Sequence, residues 1–173
     1  ILINKEHVPA EKVILIHHGI AFSDYATGAV SGVRIMALRG KYELGDSKPV
    51  IGLISKFVEW KGIQYVIPAF ARLLESYPKA VLILANAHGP FQDKILELLK
   101  SIPDANFRLI RFENDITALY KTFDLFIHVP VTPTAEAFGQ VYLESLASGV
   151  PSIFTLSGIA PEFLKDKESC LVV

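Results

Sequence analysis

From residue 50 onward the chain alternates between short runs that are apolar at nearly every position and longer segments that are apolar on a three-to-four-residue period. The first kind predicts strands covered on both faces, the second helices with one buried side. "VIGLISKF" (50–57), "AVLILANA" (80–87), "NFRLIRF" (106–112), "DLFIHVP" (124–130), "SIFTL" (152–156) and "CLVV" (170–173) read as strands. Between the first two, "GIQYVIPAFARLLESYP" (62–78) puts Ile63, Val66, Ile67, Phe70, Leu73 and Leu74 on one helical face. "FQDKILELLKSI" (91–102) is an amphipathic helix stopped by Pro103, "ITALYKTF" a short one, and "QVYLESLAS" a further helix that stops at Gly149-Val150-Pro151. "APEFLKD" predicts one more short helix. This alternation predicts an α/β, doubly wound parallel sheet with right-handed connections and a ligand at the carboxyl ends of the strands. Residues 1–48 are less regular. "KVILIHHGI" (12–20) predicts a strand and turn, and "GAVSGVRIMALRGKYELGDSKP" (28–49) a loop and short helix leading into the main domain at 49–173.

Composition narrows the class. With 173 residues, 51% hydrophobic and only 20% charged, the chain suits one domain with a sizeable core and is too apolar for disorder. A net charge of −1 gives no basic field for nucleic acid or an anionic membrane. No apolar run approaches the roughly 18 residues of a membrane span, and "ILINKEHVPAEK" lacks a signal-peptide layout. The single cysteine, Cys170, excludes an internal disulfide and a multi-cysteine metal site, so a cytoplasmic home is expected, with Cys170 a small core residue. The chain begins at Ile1 and its one methionine is Met36, which reads as a piece of a longer protein.

The candidate chemistry sits in two loops. The first strand-to-helix turn, "SKFVEWKG" (55–62), has neither the glycine fingerprint of a dinucleotide fold nor a P-loop. It carries Lys56 and Lys61, which bracket the turn at the sheet's carboxyl edge. Two ammonium groups there either grip a diphosphate as compact point charges or remain solvated loop charges. The second loop, in "TAEAFGQVYLESLASGVPSI" (134–153), holds Glu136 and Glu144. A helix opening near Gly139 exposes backbone N–H groups to an anion. Gln140, Glu144 and Ser148 fall at i, i+4 and i+8, a polar stripe that puts Glu144 at the border of the core. At helical rise the two glutamates span about 12 Å, the scale from hexose to ribose in a nucleotide-sugar. Their alternative reading is an ordinary loop glutamate and an unrelated surface glutamate. His17 and His18, adjacent in a predicted strand, point to opposite faces and cannot chelate together. His128 reads as packed or hydrogen-bonded, and His88 lies in a ligand-side loop.

Taken in order, these stretches resemble the C-terminal, donor-binding half of a retaining GT-B glycosyltransferase of family 4. "EAFGQVYLE" matches the family's E-x7-E signature within E-x-FG-x-x-x-x-E-x-x-A-x-G-x-P, here Glu136, Phe138, Gly139, Glu144, Ala147, Gly149 and Pro151. "SKFVEWKG" is similar to "GRLVPEKG", "ARLLESYPKAVLILANAHGP" to "ARLLKKYPDAKLVIVGDGP", and "EKVILIHHGIAFSDYA" to an interdomain segment, so the resemblance covers nearly the whole chain. It implies a Rossmann-like domain at 49–173, with 1–48 an interdomain linker. It implies that Glu144 binds the donor ribose, Glu136 the transferred sugar, and Lys56 and Lys61 the diphosphate, helped by N–H groups near Phe138, Gly139 and Gln140. The base would lodge near Asn86–Gly89 and Arg111–Glu113. No D-x-D occurs, in keeping with a design without metal or cofactor in which lysines face the leaving phosphate. The N-terminal acceptor domain is a partner missing in cis, so the fragment is expected to bind donor but not to transfer. Any peripheral membrane association would lie in that missing half.

The chain departs from the family at several points. Lys56 stands where arginine is usual and forgoes a bidentate fork. The "GG-x-x-E" loop becomes "SGIAPE" (157–162), with one glycine lost and Glu162 left to support the loop. The linker's "NG" is His18-Gly19, and the glycine of the family's terminal turn is missing at Ser169-Cys170-Leu171. A second reading stays open, a non-catalytic sugar-nucleotide-binding or interaction module. A receiver or dehydrogenase domain would need an acidic strand-end cluster or a glycine fingerprint, and neither is present.

Overall fold

Along the central strands, alternate side chains enter opposite cores: Val81, Ile83 and Ala85 join one apolar cluster, Leu82 and Leu84 the other. A strand buried on both faces needs apolar residues at every position, which is why these runs are continuous. The computed structural model describes residues 2–14, 16 and 18–173. Six parallel strands, β1 (Val50–Ile54), β2 (Val81–Ala85), β3 (Phe107–Ile110), β4 (Leu125–His128), β5 (Ser152–Phe154) and β6 (Leu171–Val172), form one sheet in the order β3-β2-β1-β4-β5-β6. The order reverses between β1 and β4, and the crevice at their carboxyl ends is where such sheets bind ligands.

The helices are α1 (Phe22–Tyr25), α2 (Gly32–Lys41), α3 (Ile63–Leu73), α4 (Gln92–Leu99), α5 (Ile116–Tyr120) and α6 (Gln140–Ala147). Ile63, Val66, Ile67 and Phe70 of α3 and Ile95 and Leu99 of α4 cover one face of the sheet. Leu38 of α2, Leu119 and Tyr120 of α5, and Tyr142 and Ala147 of α6 cover the other. The predicted doubly wound α/β sheet is what forms. Among the described residues no helix is long and apolar enough to cross a membrane.

Boundaries differ where backbone groups find other partners. β1 stops at Ile54, and Phe57 N–H turns away to bond His88 O at 2.8 Å. α3 ends at Leu73, where its ladder gives way to tighter bonds, Glu75 N–H to Arg72 O at 3.3 Å and Ser76 N–H to Leu73 O at 3.0 Å, ahead of Pro78. "APEFLKD" makes only a 3-10 turn at Ala160–Glu162. The strand expected at 12–20 is not formed among the described residues, where Leu15 and His17 are not included. A strand needs a hydrogen-bonding neighbour, and the sheet ends at β3 and β6 without taking this segment. Ile14 and Ile16 stand exposed instead.

The segment read as a linker contributes to the core. Tyr25, Val30, Leu38 and Leu44 belong to the same cluster as Val50, Val81 and Phe126. Ser31 caps α2 by accepting the Arg34 N–H. Arg34 then grips Asp115, its Nε donating to Oδ2 at 2.9 Å, and Lys41 pairs with Glu113 at 2.7 Å, so α2 is pinned across α5.

Candidate functional site

At the crevice between β1 and β4 lies a cleft of about 360 Å³ lined by Ile54, Ser55, Lys56, Trp60, Lys61, Asn86, His128, Glu136, Gly139 and Gln140. Lys56 and Lys61 arrive from the β1–α3 turn, which closes as a 3-10 turn at Glu59–Lys61 followed by Gly62 in the left-handed region at φ 75°. Glu136 arrives from the β4–α6 loop. Five of the residues singled out from sequence, Lys56, Lys61, Glu136, Gly139 and Gln140, therefore share one cleft. Phe138 does not line it. Its ring meets His18 edge-on, with centroids 5.0 Å apart.

The helix start is where the sequence placed it: Gly139 is the N-cap, at φ 67°, and α6 begins at Gln140. The N–H groups of Gln140 and Val141 have no partner among the described residues, since the first bond of this turn runs from Tyr142 N–H to Gly139 O. Unpaired donors and the positive end of the helix face a cleft already holding two lysines, a local field suited to an anion.

Lys61 and Glu136 are ion-paired through Glu136 Oε1, and His128 Nε2 lies 2.7 Å from the same oxygen. A carboxylate only accepts, so Nε2–H is the donor. Burial opposes the charge on Glu136, but the His128 N–H and the Lys61 ammonium outweigh it and hold the carboxyl below its usual range. Burial also lowers the basicity of His128, against the pull of Glu136. Lys56, exposed at the rim, has no carboxylate partner among the described residues.

Glu144 departs from expectation. It is buried at 9% exposure rather than bordering the core, and Ser148 below it is buried as well. The polar stripe along α6 accounts only for that helix, whereas α1 and α5 cover it: Tyr120 OH donates to Glu144 Oε2 at 2.8 Å and Tyr25 OH to Oε1 at 3.3 Å. Burial first, then the charge of Glu144, raises the Tyr25 phenol to about 12 and pushes Tyr120 well above 10, so both stay protonated donors. Each carboxylate oxygen keeps a free lone pair. Glu144 shows it to a second cleft of about 260 Å³, with Ala85, Arg111, Phe112 and Glu113, that shares Ile54 and Asn86 with the first. The loops 86–89 and 111–113 flank this side, and His88, bonded to Asn86 at 2.9 Å, faces a third cleft with Tyr42, Arg111 and Phe112.

Four contributors went unrecognised in the sequence: Tyr25, Tyr120, Ser157 and the role of His128. Ser157 carried the one available signal, as the first residue of the divergent "SGIAPE" loop. Its Oγ accepts the Glu136 N–H at 2.9 Å and donates to Thr132 O at 2.7 Å, tying down the loop. Glu162, expected to brace that loop, is exposed and makes no side-chain hydrogen bond or ion pair among the described residues. Among the described residues no three His, Cys, Asp or Glu side chains are grouped to hold a metal ion.

The buried imidazole sets a pH dependence. An unfolded chain protonates His128 near pH 6.5, whereas the native site resists until lower pH. Stability from neutral His128 is therefore complete above about pH 6.5 and lost as pH falls below it. Glu136, depressed below its usual value, loses its share only below about pH 4.5. Denaturant titrations should show the unfolding free energy dropping between pH 7.5 and 5.5, with a flatter slope in His128→Gln. An unchanged slope in the variant would show that His128 titrates alike in both states.

Residues 35–173 match the family described as glycosyl transferases group 1. The alpha-monoglucosyldiacylglycerol synthase of Streptococcus pneumoniae is 32% identical over 155 residues, 88% of this chain and 34% of that protein. HepE of Anabaena, solved in complex with UDP and glucose, superposes with a TM-score of 0.78 at 26% identity, over 95% of this chain and 44% of that one. The C-terminal domain of LpcC from Francisella tularensis has the same fold, with a TM-score of 0.72 at 23% identity over 90% of this chain and 80% of that one. The chain spans about a third of the length of the curated relatives it matches. The sheet is thus half of a GT-B architecture, the matched stretch runs through all six strands and both lysine and glutamate loops, and the chain belongs to the glycosyl transferases group 1 family.

Proposed function

We propose that this chain is the donor-binding half of a retaining glycosyltransferase, which holds a nucleotide-diphospho-sugar while a second domain in cis supplies the acceptor. The observation that carries this is the convergence of Lys56, Lys61, Glu136 and the free N–H groups of α6 on one cleft at the switch point, with Glu144 in the adjoining one. The diphosphate lies over the helix end between the lysines, the sugar meets Glu136, and the ribose hydroxyls donate to the free lone pairs of Glu144. HepE was solved with UDP and glucose, which supports a ligand of this class here.

Transfer breaks the bond from the anomeric carbon to the phosphate oxygen, and negative charge grows on the departing diphosphate. Lysines and helix N–H groups aimed at that charge favour the transition state over the ground state. The leaving phosphate takes the acceptor's proton on the face it vacates, so configuration is retained, and no metal or cofactor is required. The protein works in the cytoplasm, and any hold on a membrane comes from the acceptor half. Without that half the fragment binds donor and transfers nothing.

Trp60, the one tryptophan, is half-exposed in the cleft and reports binding by its fluorescence. Titration with UDP, GDP and ADP and their sugars should show saturable binding of one base series. Glu144→Gln keeps an acceptor for Tyr120 but loses the charge, and should weaken that series about tenfold. Binding untouched by this change would place the ribose elsewhere, and binding without transfer by the full-length protein would favour a non-catalytic module.

A further inference from the structure

Glu136 Oε1 is taken twice, by Lys61 and by His128 Nε2–H, whereas Oε2 has no partner among the described residues and is not sealed from solvent. We infer that His128 is a positioning residue that fixes the Glu136 carboxylate with Oε2 as the single free acceptor, set to take one hydroxyl of the bound sugar. This rests on the donor-site reading above and adds to it how the carboxylate is aimed.

Three features carry the assignment. The first is rigidity at both ends of Glu136. Ser157 Oγ accepts its backbone N–H, and the loop it sits on is tied at Thr132 by Ser157 and at Pro130 by Thr155 Oγ1. With the backbone held, one hydrogen bond from a side chain that cannot move fixes the carboxylate rotation. His128 is such a side chain. It ends β4, is 1% exposed, and its ring meets Tyr142 edge-on with centroids 4.8 Å apart.

The second feature is what His128 gives up. Its Nδ1 is buried without a partner among the described residues. An apolar residue would fill the same space beside Tyr142 without that loss. The histidine is therefore poorly explained by packing and well explained by its one directed N–H. The third feature is the division of labour around Oε1. Lys61 alone would swing the carboxylate with it whenever a diphosphate drew its ammonium away. A neutral N–H donor on a strand end holds Oε1 in place while Lys61 changes partner, leaving the sugar contact undisturbed.

The test uses the full-length protein and two variants, His128→Phe, which removes the donor, and His128→Gln, whose amide nitrogen reaches about where Nε2 lies. Kd is measured by calorimetry for UDP against UDP-glucose and for GDP against GDP-mannose, and donor turnover by release of the nucleoside diphosphate. For the pair the wild type binds, His128→Phe should keep nucleoside-diphosphate affinity within about twofold and lose about tenfold in nucleotide-sugar affinity, the worth of one hydrogen bond to a charged group. Turnover kcat/KM should fall at least as far, and His128→Gln should recover most of both. A parallel loss for diphosphate and sugar-diphosphate, or equal behaviour of Phe and Gln, would make His128 a packing residue and overturn the assignment. Wild-type protein that binds no nucleotide would overturn the donor-site reading itself, and this proposal with it.

Discussion

Lys61→Met in the full-length protein is expected to lower sugar transfer about 100- to 1,000-fold, the usual cost of removing one group aimed at charge that develops in a transition state. Lys61 is the better placed of the two lysines, with a side chain only 20% exposed and its ammonium on Glu136 Oε1. Lys56 is exposed at the rim, where solvent screens it, so Lys56→Met should cost less. Removing Lys61 has a second consequence, because the half-buried Glu136 keeps only the His128 N–H and the fold loses about 1–3 kcal/mol. The two effects separate in Lys61→Met/Glu136→Gln, which no longer buries an unpaired charge. Its stability should recover towards wild type while transfer stays well below that of Glu136→Gln alone. Activity that returns together with stability would mean Lys61 serves the fold alone.

How much of this was legible in the sequence follows from the range over which each signal acts. The strands were legible because burial on both faces writes itself into consecutive residues, as in "VLILA" of β2. The start of α6 was legible because Gly139 and the apolar run after it lie within one turn. The cleft was legible only through an ordered motif, since Lys61 and Glu136 are 75 positions apart and neither marks the other as its partner. Helical periodicity placed Glu144 at the edge of the core, and it erred because Tyr25, 119 positions away, comes back over α6. His128, read as packed or hydrogen-bonded, is both, but its hydrogen-bond partner sits on a loop with no period to follow. The strand predicted at "KVILIHHGI" shows the converse case. A β-rich run makes no strand unless an edge is there to receive it, and this sheet's described edges do not take it.

Gly62→Ala is expected to be the most damaging single methyl group for the fold. A Cβ built there lies 1.9 Å from Val129 O and 3.0 Å from Val129 C, both backbone atoms that no side-chain rotation can relieve. The residue also sits at φ 75°, where a side chain costs about 1–2 kcal/mol. Clash and strain together should destabilise the protein by roughly 3–5 kcal/mol, a large part of a typical domain's 5–15 kcal/mol. For a chain of this length that is a fall in Tm of about 10 °C or more. Gly149→Ala is the matched control, with φ 67° and nothing within 4 Å of its Cβ, so it meets the backbone penalty alone. The difference between the two variants measures how closely the β1–α3 turn must approach the β4–α6 loop. That approach joins Lys61 to Glu136, because Gly62 follows the one and Val129 opens the loop that carries the other. Molecules of Gly62→Ala that remain folded should therefore also bind the nucleotide-sugar more weakly, whereas Gly149→Ala should bind it as wild type does. Equal losses of stability in the two variants would mean the loops can part without cost, and the close packing at Gly62 would not be what holds the cleft together.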